Sequence, residues 1–206
     1  MSMYETTDKI LAYLTKLIIN DYQNYGSSLL RFDELNVIKQ SKVLYDRLYK
    51  DAEEYLFMIA VRIYREAWNR TGKRGLRKGI KEDWVLDYLE ETDPVTHYIF
   101  SHEVDRKRAY LEEAVISSTD IAEKQQELDK AMKKWTGMIN QYAIGITDRA
   151  TLQAYKDAGV EKVMWVTMHD THVCEECEDR DGVIFPIDAV PNKPHYACRC
   201  ELMPVL

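Results

Sequence analysis

The chain has 206 residues, of which 46% are hydrophobic, and it carries a formal net charge of −7 at pH 7. This length fits one domain or a helical arm joined to a small domain, with enough apolar residues for a core. Broad nucleic-acid binding is disfavoured, because phosphate repels an acidic surface unless basic residues are segregated, and no apolar run reaches the length of a membrane span.

The first third of the sequence predicts two helices of unequal length. Apolar residues at three- and four-residue steps predict a first helix over 7–25, with Gly26 as its stop. A longer apolar stripe begins after Asp33 and continues to Trp68 without a glycine or proline. The second helix is therefore about twice as long as the first.

The long stripe raises the question of what covers it. A first helix of half the length leaves apolar surface exposed, and such surface usually marks an interface. We therefore predict self-association or binding to a partner, partly through Tyr55, Leu56, Ile59 and Ile63. The alternative is that the helices after Asp83 fold back and bury the whole stripe.

Residues 72–81 form a loop rich in glycine and in basic side chains. The basic residues are Lys73, Arg74, Arg77, Lys78 and Lys81. The spacing does not fit a phosphate-binding P-loop, because no Lys-Ser or Lys-Thr follows the glycines. A flexible solvated connector is the expected role, and a local contact with DNA or with an acidic partner is the alternative.

Four further helices are predicted between residues 83 and 159. Their predicted starts are Asp83, Asp93 with Pro94 in the first helical position, Asp120, and the Thr147-Asp148 pair. Gly145 is expected to separate the last two, and Gly159 to end the final helix.

After Gly159 the hydrophobic pattern changes from helical to extended, over 162–168, 183–185 and 201–205. The predicted fold class is therefore α+β, an extended and mainly α-helical body followed by a small β-rich module. We divide the chain into a helical arm (1–81), a helical body (82–159) and the C-terminal module (160–206).

The module contains all four cysteines of the chain, in two clusters. The candidate metal ligands are Cys174, Cys177, His195, Cys198 and Cys200. A Cys-x-x-Cys turn and a second His/Cys knuckle suit the tetrahedral coordination of a structural Zn²⁺ ion, which takes four of the five. We favour His195 with Cys198, because Cys198 and Cys200 would face opposite ways in a regular strand.

Disulfides and buried reduced thiols are the two alternatives to a metal site. The first sixteen residues contain polar residues throughout and lack the apolar core of a signal peptide, which favours a reducing cytosol. A bound metal would also contribute folding free energy to a module with little core of its own.

The amino-acid sequence around the cysteines resembles that of a known protein family. The matching residues are Trp165-Val166-Thr167, Asp170, Cys174 and Cys177, Asp181-Gly182, Pro194-His195, Cys198-Arg199-Cys200, and Pro204-Val205. Together they resemble the phage Mu F-like minor head proteins, the head morphogenesis proteins of tailed phages and prophages. The resemblance is dense over 150–206. It is looser between Asp93 and residue 150, and no motif matches over 1–80. His195-Tyr196 stands where the family has His-Pro.

The resemblance implies a minor capsid protein associated with the portal vertex. Such a protein acts in head assembly and in DNA packaging or delivery, with portal protein and other head proteins as its partners. Its expected location is the interior of the virion head, and the host cytoplasm during assembly.

Catalysis is not expected, because a thiolate-rich site with surplus ligands resembles a closed structural site. The main rival is a zinc-supported nuclease of the His-Asn-His kind using His169, Asp170 and His172. Against it, no second His-rich strand-helix segment follows the Cys-x-x-Cys pair.

Overall fold

A computed structural model describes residues 2–30, 33–73, 78–169, 171 and 173–206, except the side chain of Glu82. The helices are α1 (Met3–Leu29), α2 (Glu34–Arg70), α3 (Glu82–Glu90), α4 (Phe100–Ser117), α5 (Ile121–Asp157) and α6 (Glu175–Arg180). The strands are β1 (Lys162–Val166), β2 (Ile184–Pro186) and β3 (Glu201–Val205). A mainly helical body with a small C-terminal sheet confirms the predicted α+β class.

Helix α1 is longer than predicted at both ends. Ser2 caps its start, since the serine hydroxyl accepts a hydrogen bond from Tyr4 N at 3.1 Å. Gly26 lies inside the helix and is buried, so its predicted role as a stop is wrong. A Cβ there would lie 3.3 Å from Leu128 Cδ1 on α5, which shows that the glycine permits close packing of the two helices.

Helix α2 begins as predicted, because the Asp33 side chain accepts a hydrogen bond from Asn36 N at 3.0 Å. Its apolar stripe is covered within the chain by α1 and α5, with α3 and α4 also in contact. Leu56, Ile59 and Ile63 are completely buried. The prediction that these three residues form an intermolecular interface is therefore wrong. The later helices cover most of the stripe, as the alternative predicts, but not all of it, since Leu35 and Ile38 at its start are exposed.

Tyr55, the fourth residue of that predicted interface, is only half-buried. Its ring packs on the exposed ring of Tyr13, with the two centroids 5.8 Å apart. Tyr55 thus lies at the outer edge of the contact between α1 and α2. Self-association through another surface stays a prediction.

Asp93-Pro94 opens a turn and not the helix that was predicted. The Asp93 carboxylate accepts hydrogen bonds from Val95 N at 3.0 Å and Thr96 N at 2.6 Å. His97 then takes a left-handed conformation with φ of 62°. The chain becomes helical only at Phe100, because the aspartate closes a local turn.

Helix α5 is continuous through the predicted break at Gly145. The Tyr88 hydroxyl packs so closely on this glycine that an added Cβ would lie 1.9 Å from it. Thr147 does not cap a new helix, because its hydroxyl donates to Ala143 O and lies 2.7 Å from the Thr7 hydroxyl. Gly145 and Thr147, which were expected to interrupt the helix, instead make contacts with neighbouring helices. The predicted end at Gly159 is confirmed by its φ of 71°.

The three strands form an antiparallel sheet in the order β2-β1-β3, with Met164 opposite Ile184 and Trp165 opposite Leu202. Val163, Trp165 and Leu202 are buried and belong to the same apolar cluster as the helices. The sheet is therefore packed on the helical body. The division at residues 81 and 159 stays a prediction.

The basic loop contacts the end of α5. Lys78 Nζ lies 3.4 Å from Asp157 Oδ1, and the Lys73 ammonium lies close to Gly159. Lys81 is exposed and precedes α3, while Arg74 and Arg77 lie outside the described residues. Cations beside a helix C-terminus complement its negative end, which gives the two described lysines of this contact a structural role.

Candidate metal centre

The first two candidate ligands are positioned by the short helix α6. Cys174 occupies its N-cap position and Cys177 lies one turn later, with Glu178 N donating to Cys174 O at 2.9 Å. A helical turn places residues three apart on one side of the helix. The Cys-x-x-Cys spacing therefore directs both thiols toward the same region.

The other three candidates lie in an irregular segment before β3. Cys198 N donates to His195 O at 3.4 Å, and Ala197 between them is left-handed with φ of 59°. Because β3 begins only at Glu201, Cys198 and Cys200 do not alternate in a strand. Both thiols lie near Cys177, so the geometric reason for setting Cys200 aside does not hold.

The structure brings all five candidates together in two overlapping groups. Cys174, Cys177 and His195 form one, and Cys177, Cys198 and Cys200 form the other, with the ligand atoms of each group within 4.8 Å of one another. Cys177 Sγ lies 3.5 Å from Cys198 Sγ and 3.9 Å from His195 Nε2. Cys177 belongs to both groups and is therefore the centre of the cluster.

The imidazole of His195 is oriented for metal binding. Its Nδ1 lies 2.9 Å from Tyr196 O, and since a carbonyl only accepts, Nδ1 carries the proton. The lone pair is then on Nε2, the atom that faces Cys177. A histidine ligand held by a backbone carbonyl is the usual arrangement at protein metal sites.

Tyr196 and Gln141, which the sequence analysis did not single out as site residues, hold the segment from His195 to Cys198 against α5. The Tyr196 hydroxyl donates to Gly137 O, and Ala197 N donates to Gln141 Oε1 at 2.9 Å. Gln141 is buried. A glutamine on the apolar face of a helix was the one available signal, because a buried amide needs a polar partner.

A comparison with known protein families identifies the segment that holds this cluster. Residues 111–203 match the family described as Phage Mu protein F like protein. Over this segment the chain is similar to that family. The match confirms the resemblance to phage head morphogenesis proteins. Neither the curated proteins nor the solved structures gave a match.

The Mu F-like segment contains α5, β1, β2, the first three residues of β3 and all five candidate ligands. Its matched region begins within α4, well upstream of the dense sequence resemblance. In the described part of the chain, none of the helices is long and apolar enough to cross a bilayer.

Without a bound cation, the surroundings of the cluster hold two of its thiols in the protonated form. Burial raises the pKa of Cys177 to about 12, and the pKa of Cys198 is raised chiefly by its hydrogen bond with Cys200 and then by burial. The same hydrogen bond lowers the pKa of Cys200. A bound metal ion stabilises thiolates and reverses the effect of burial. The five side chains thus provide the donors that a thiophilic dication needs.

The residues of the rival nuclease hypothesis follow β1 in the sequence. Asp170 and His172 are outside the described residues. The side chain of His169 is 68% exposed, with Nε2 3.8 Å from Asp181 Oδ2 and Nδ1 3.2 Å from the Thr167 hydroxyl. Asp181 also accepts from Thr167 N at 2.8 Å. These contacts close the loop between β1 and α6 in the Mu F-like segment.

Proposed function

We propose that this chain is a minor head protein of a phage or prophage that associates with the portal vertex. It acts there in head assembly and in DNA packaging or delivery. The observation that carries the proposal is the Mu F-like match over residues 111–203 together with the Cys/His cluster inside it. Portal subunits and other head proteins are the expected partners.

The metal in this proposal is a structural Zn²⁺ ion bound by four of the five candidates. Three sulfur ligands and a histidine, or four sulfur ligands, are the sets that tetrahedral structural zinc uses. Cys177 is a ligand in either set, because both groups include it. We keep His195 as the last ligand and Cys200 as the surplus candidate, because the Tyr196 carbonyl already orients the His195 ring.

The proposed role is structural and not catalytic. Cys177, Cys198 and Cys200 are buried, and a fully protein-coordinated ion has no open position for substrate. The zinc keeps the module compact, while the helical body supplies surface for docking. This division fits a protein whose task is to bind other head proteins.

DNA binding through the basic loop is the alternative that a simple charge argument would favour. Two observations weaken it: Lys78 is paired with Asp157, and the Lys73 ammonium lies at the C-terminal end of α5. Both lysines already have a structural role. A DNA contact would have to rest on the remaining basic residues.

The proposal is tested by co-purification of the chain with the cognate portal protein. We expect a stable complex, and we expect the chain in purified virions, protected from added protease until the heads are opened. Absence from virions and failure to bind portal would overturn the proposal. Salt-dependent DNA binding that is lost on reversing Arg74, Arg77 and Lys81 to glutamate would support the DNA alternative.

A further inference from the structure

The four residues 198–201 contact two different parts of the molecule in alternation. Cys198 and Cys200 belong to the metal-binding cluster with Cys177. Arg199 and Glu201 instead contact the beginning of α1. One short stretch therefore connects the candidate metal centre to the N-terminal end of the described chain.

Glu201 is a cap for α1 supplied from nearly two hundred residues away. Its Oε1 accepts from Met3 N at 2.7 Å and from the Ser2 hydroxyl, and its Oε2 lies 3.1 Å from Arg70 Nη1. A carboxylate at a helix N-terminus satisfies free backbone donors and complements the positive end of the helix dipole. The carboxylate thereby joins the start of α1 to the end of α2.

Tyr4 is the second point of attachment. The Arg199 guanidinium lies 5.3 Å from the centre of the Tyr4 ring and pairs with Asp8. The Lys193 ammonium is 5.8 Å from the same ring and donates to Cys200 O. Tyr4 and Met3 are buried beneath these contacts. Residues 193–201 thus enclose the first two turns of α1.

We propose that the Cys/His cluster acts as a metal-controlled latch for residues 2–8. The inference rests on the metal site of the proposed function. Residues 187–200 contain no helix or strand, so an ion held by Cys198 also fixes the neighbouring Arg199 and the segment that leads to Glu201, the first residue of β3. When the ion leaves, Arg199 loses its fixed position, Glu201 keeps only its pairing with Val166 in the sheet, and residues 2–8 open.

The opening is local, because the rest of α1 has other support. Leu11, Leu14 and Ile18 are buried in the core with α2 and α5. The open state exposes Met3 and Tyr4 and uncovers Asp148, which accepts a hydrogen bond from the Tyr4 hydroxyl at 2.8 Å. Metal occupancy therefore decides whether the N-terminal end of the bundle is closed.

Hydrogen exchange of the full chain tests this latch, with zinc content measured on the same samples. Chelation is expected to speed exchange over residues 3–8 and 195–201 by on the order of tenfold or more. Residues 104–115 of α4, which make none of these contacts, should keep their rates. Continued protection of 3–8 in a chain that has lost its zinc and opened at 195–201 would overturn the inference and leave the zinc site standing.

Glu201→Ala separates the latch from the metal itself. In the zinc-loaded protein we expect faster exchange over 3–8 with unchanged zinc content, whereas the control Glu161→Ala, at an exposed carboxylate of the same module, should change neither. Unchanged exchange over 3–8 in Glu201→Ala would overturn the inference. A wild-type chain that binds no zinc would overturn the proposed metal site and the latch together.

Discussion

Helix α2 and the segment 187–200 differ in what holds them in place. Helix α2 has a capped start and a continuous row of buried side chains packed on four other helices. Residues 187–200 have no regular secondary structure, and within them only Ile187, Cys198 and Cys200 are buried. The first is stabilised by apolar area and the second by a few polar contacts and ligands. The two regions should therefore respond to different perturbations.

The largest effect is expected from placing a charge in the α2 core. Ile59→Asp buries an unpaired carboxylate at a completely buried position and should cost at least about 4 kcal/mol, enough to abolish the cooperative helical melt. Circular dichroism with thermal denaturation measures this. The adjacent Met58, which is 40% exposed, provides the control Met58→Asp, expected to fold nearly normally. A folded Ile59→Asp protein that merely lost self-association would restore the interface interpretation of the stripe.

The opposite region should be sensitive to loss of the metal. Cys177→Ser removes the thiol common to both ligand groups, so zinc content should fall from about one ion per chain to nearly none. Most of the helical signal should remain, because the apolar core of the helices does not depend on the ion. Glu178→Ser, at an exposed neighbour in α6, should retain zinc. Collapse of the whole chain on metal loss would show that the two regions are not separately stabilised.

These two regions also differ in how far sequence predicts them. The α2 stripe and its Asp33 cap follow from local spacing, and so do the Cys-x-x-Cys turn and the Gly159 end. Which surface covers the stripe does not follow from local spacing, because nothing in the sequence of α2 reveals that α5 lies against it. Gly26 and Gly145 were misinterpreted for the same reason: a glycine that admits a neighbouring side chain has the same sequence appearance as a helix stop.

The candidate site shows the same limit. The five ligand candidates could be named from spacing alone, and the structure brings them together. The left-handed Ala197, which turns Cys198 and Cys200 toward Cys177, carries no sequence signal. The anchoring of the knuckle through Tyr196 to Gly137 is equally hidden, because it depends on a contact between residues 59 apart.

A finer comparison within the metal centre concerns its last ligand. We keep the prediction that His195 binds and that Cys200 is the surplus candidate, since the His195 ring is already oriented by Tyr196 O. His195→Ala should then weaken zinc binding by ~100-fold, and Cys200→Ser by less than about tenfold. Competition with a calibrated chelator gives both affinities. A larger loss of affinity in Cys200→Ser than in His195→Ala would show that Cys200 is the ligand and His195 the surplus candidate.

Within the helical body, the contact of α3 with α5 should be sensitive to one methyl group. Gly145→Ala places a Cβ 1.9 Å from the Tyr88 hydroxyl, which forces α3 to shift at a cost of about 1–3 kcal/mol, against a gain of about 1 kcal/mol in helix propensity. Gly137→Ala, where the only close atom is the Tyr196 hydroxyl at 3.3 Å, should be much milder. Chemical denaturation measures both. Adding Tyr88→Phe to Gly145→Ala should recover part of the loss, and no recovery would show that the hydroxyl is not the obstacle.

The smallest expected effect concerns the loop between β1 and α6. The backbone N–H of Thr167, followed by the Thr167 hydroxyl, holds the pKa of Asp181 below its ordinary value of 3.8. A carboxyl with a lowered pKa in the folded state stabilises the protein above its unfolded pKa and loses that contribution as the pH falls through the folded pKa. Asp181→Asn should therefore be less stable than wild type at pH 6, by under ~1 kcal/mol because the group is partly exposed, and the difference should shrink below about pH 4. Denaturation of both proteins in excess zinc at each pH isolates this difference from the protonation of the shared ligands. Asp179→Asn, at an exposed neighbouring carboxylate, is the matched control. A difference in unfolding free energy between wild type and Asp181→Asn that stayed constant with pH would assign the effect of Asp181 to packing and not to its charge.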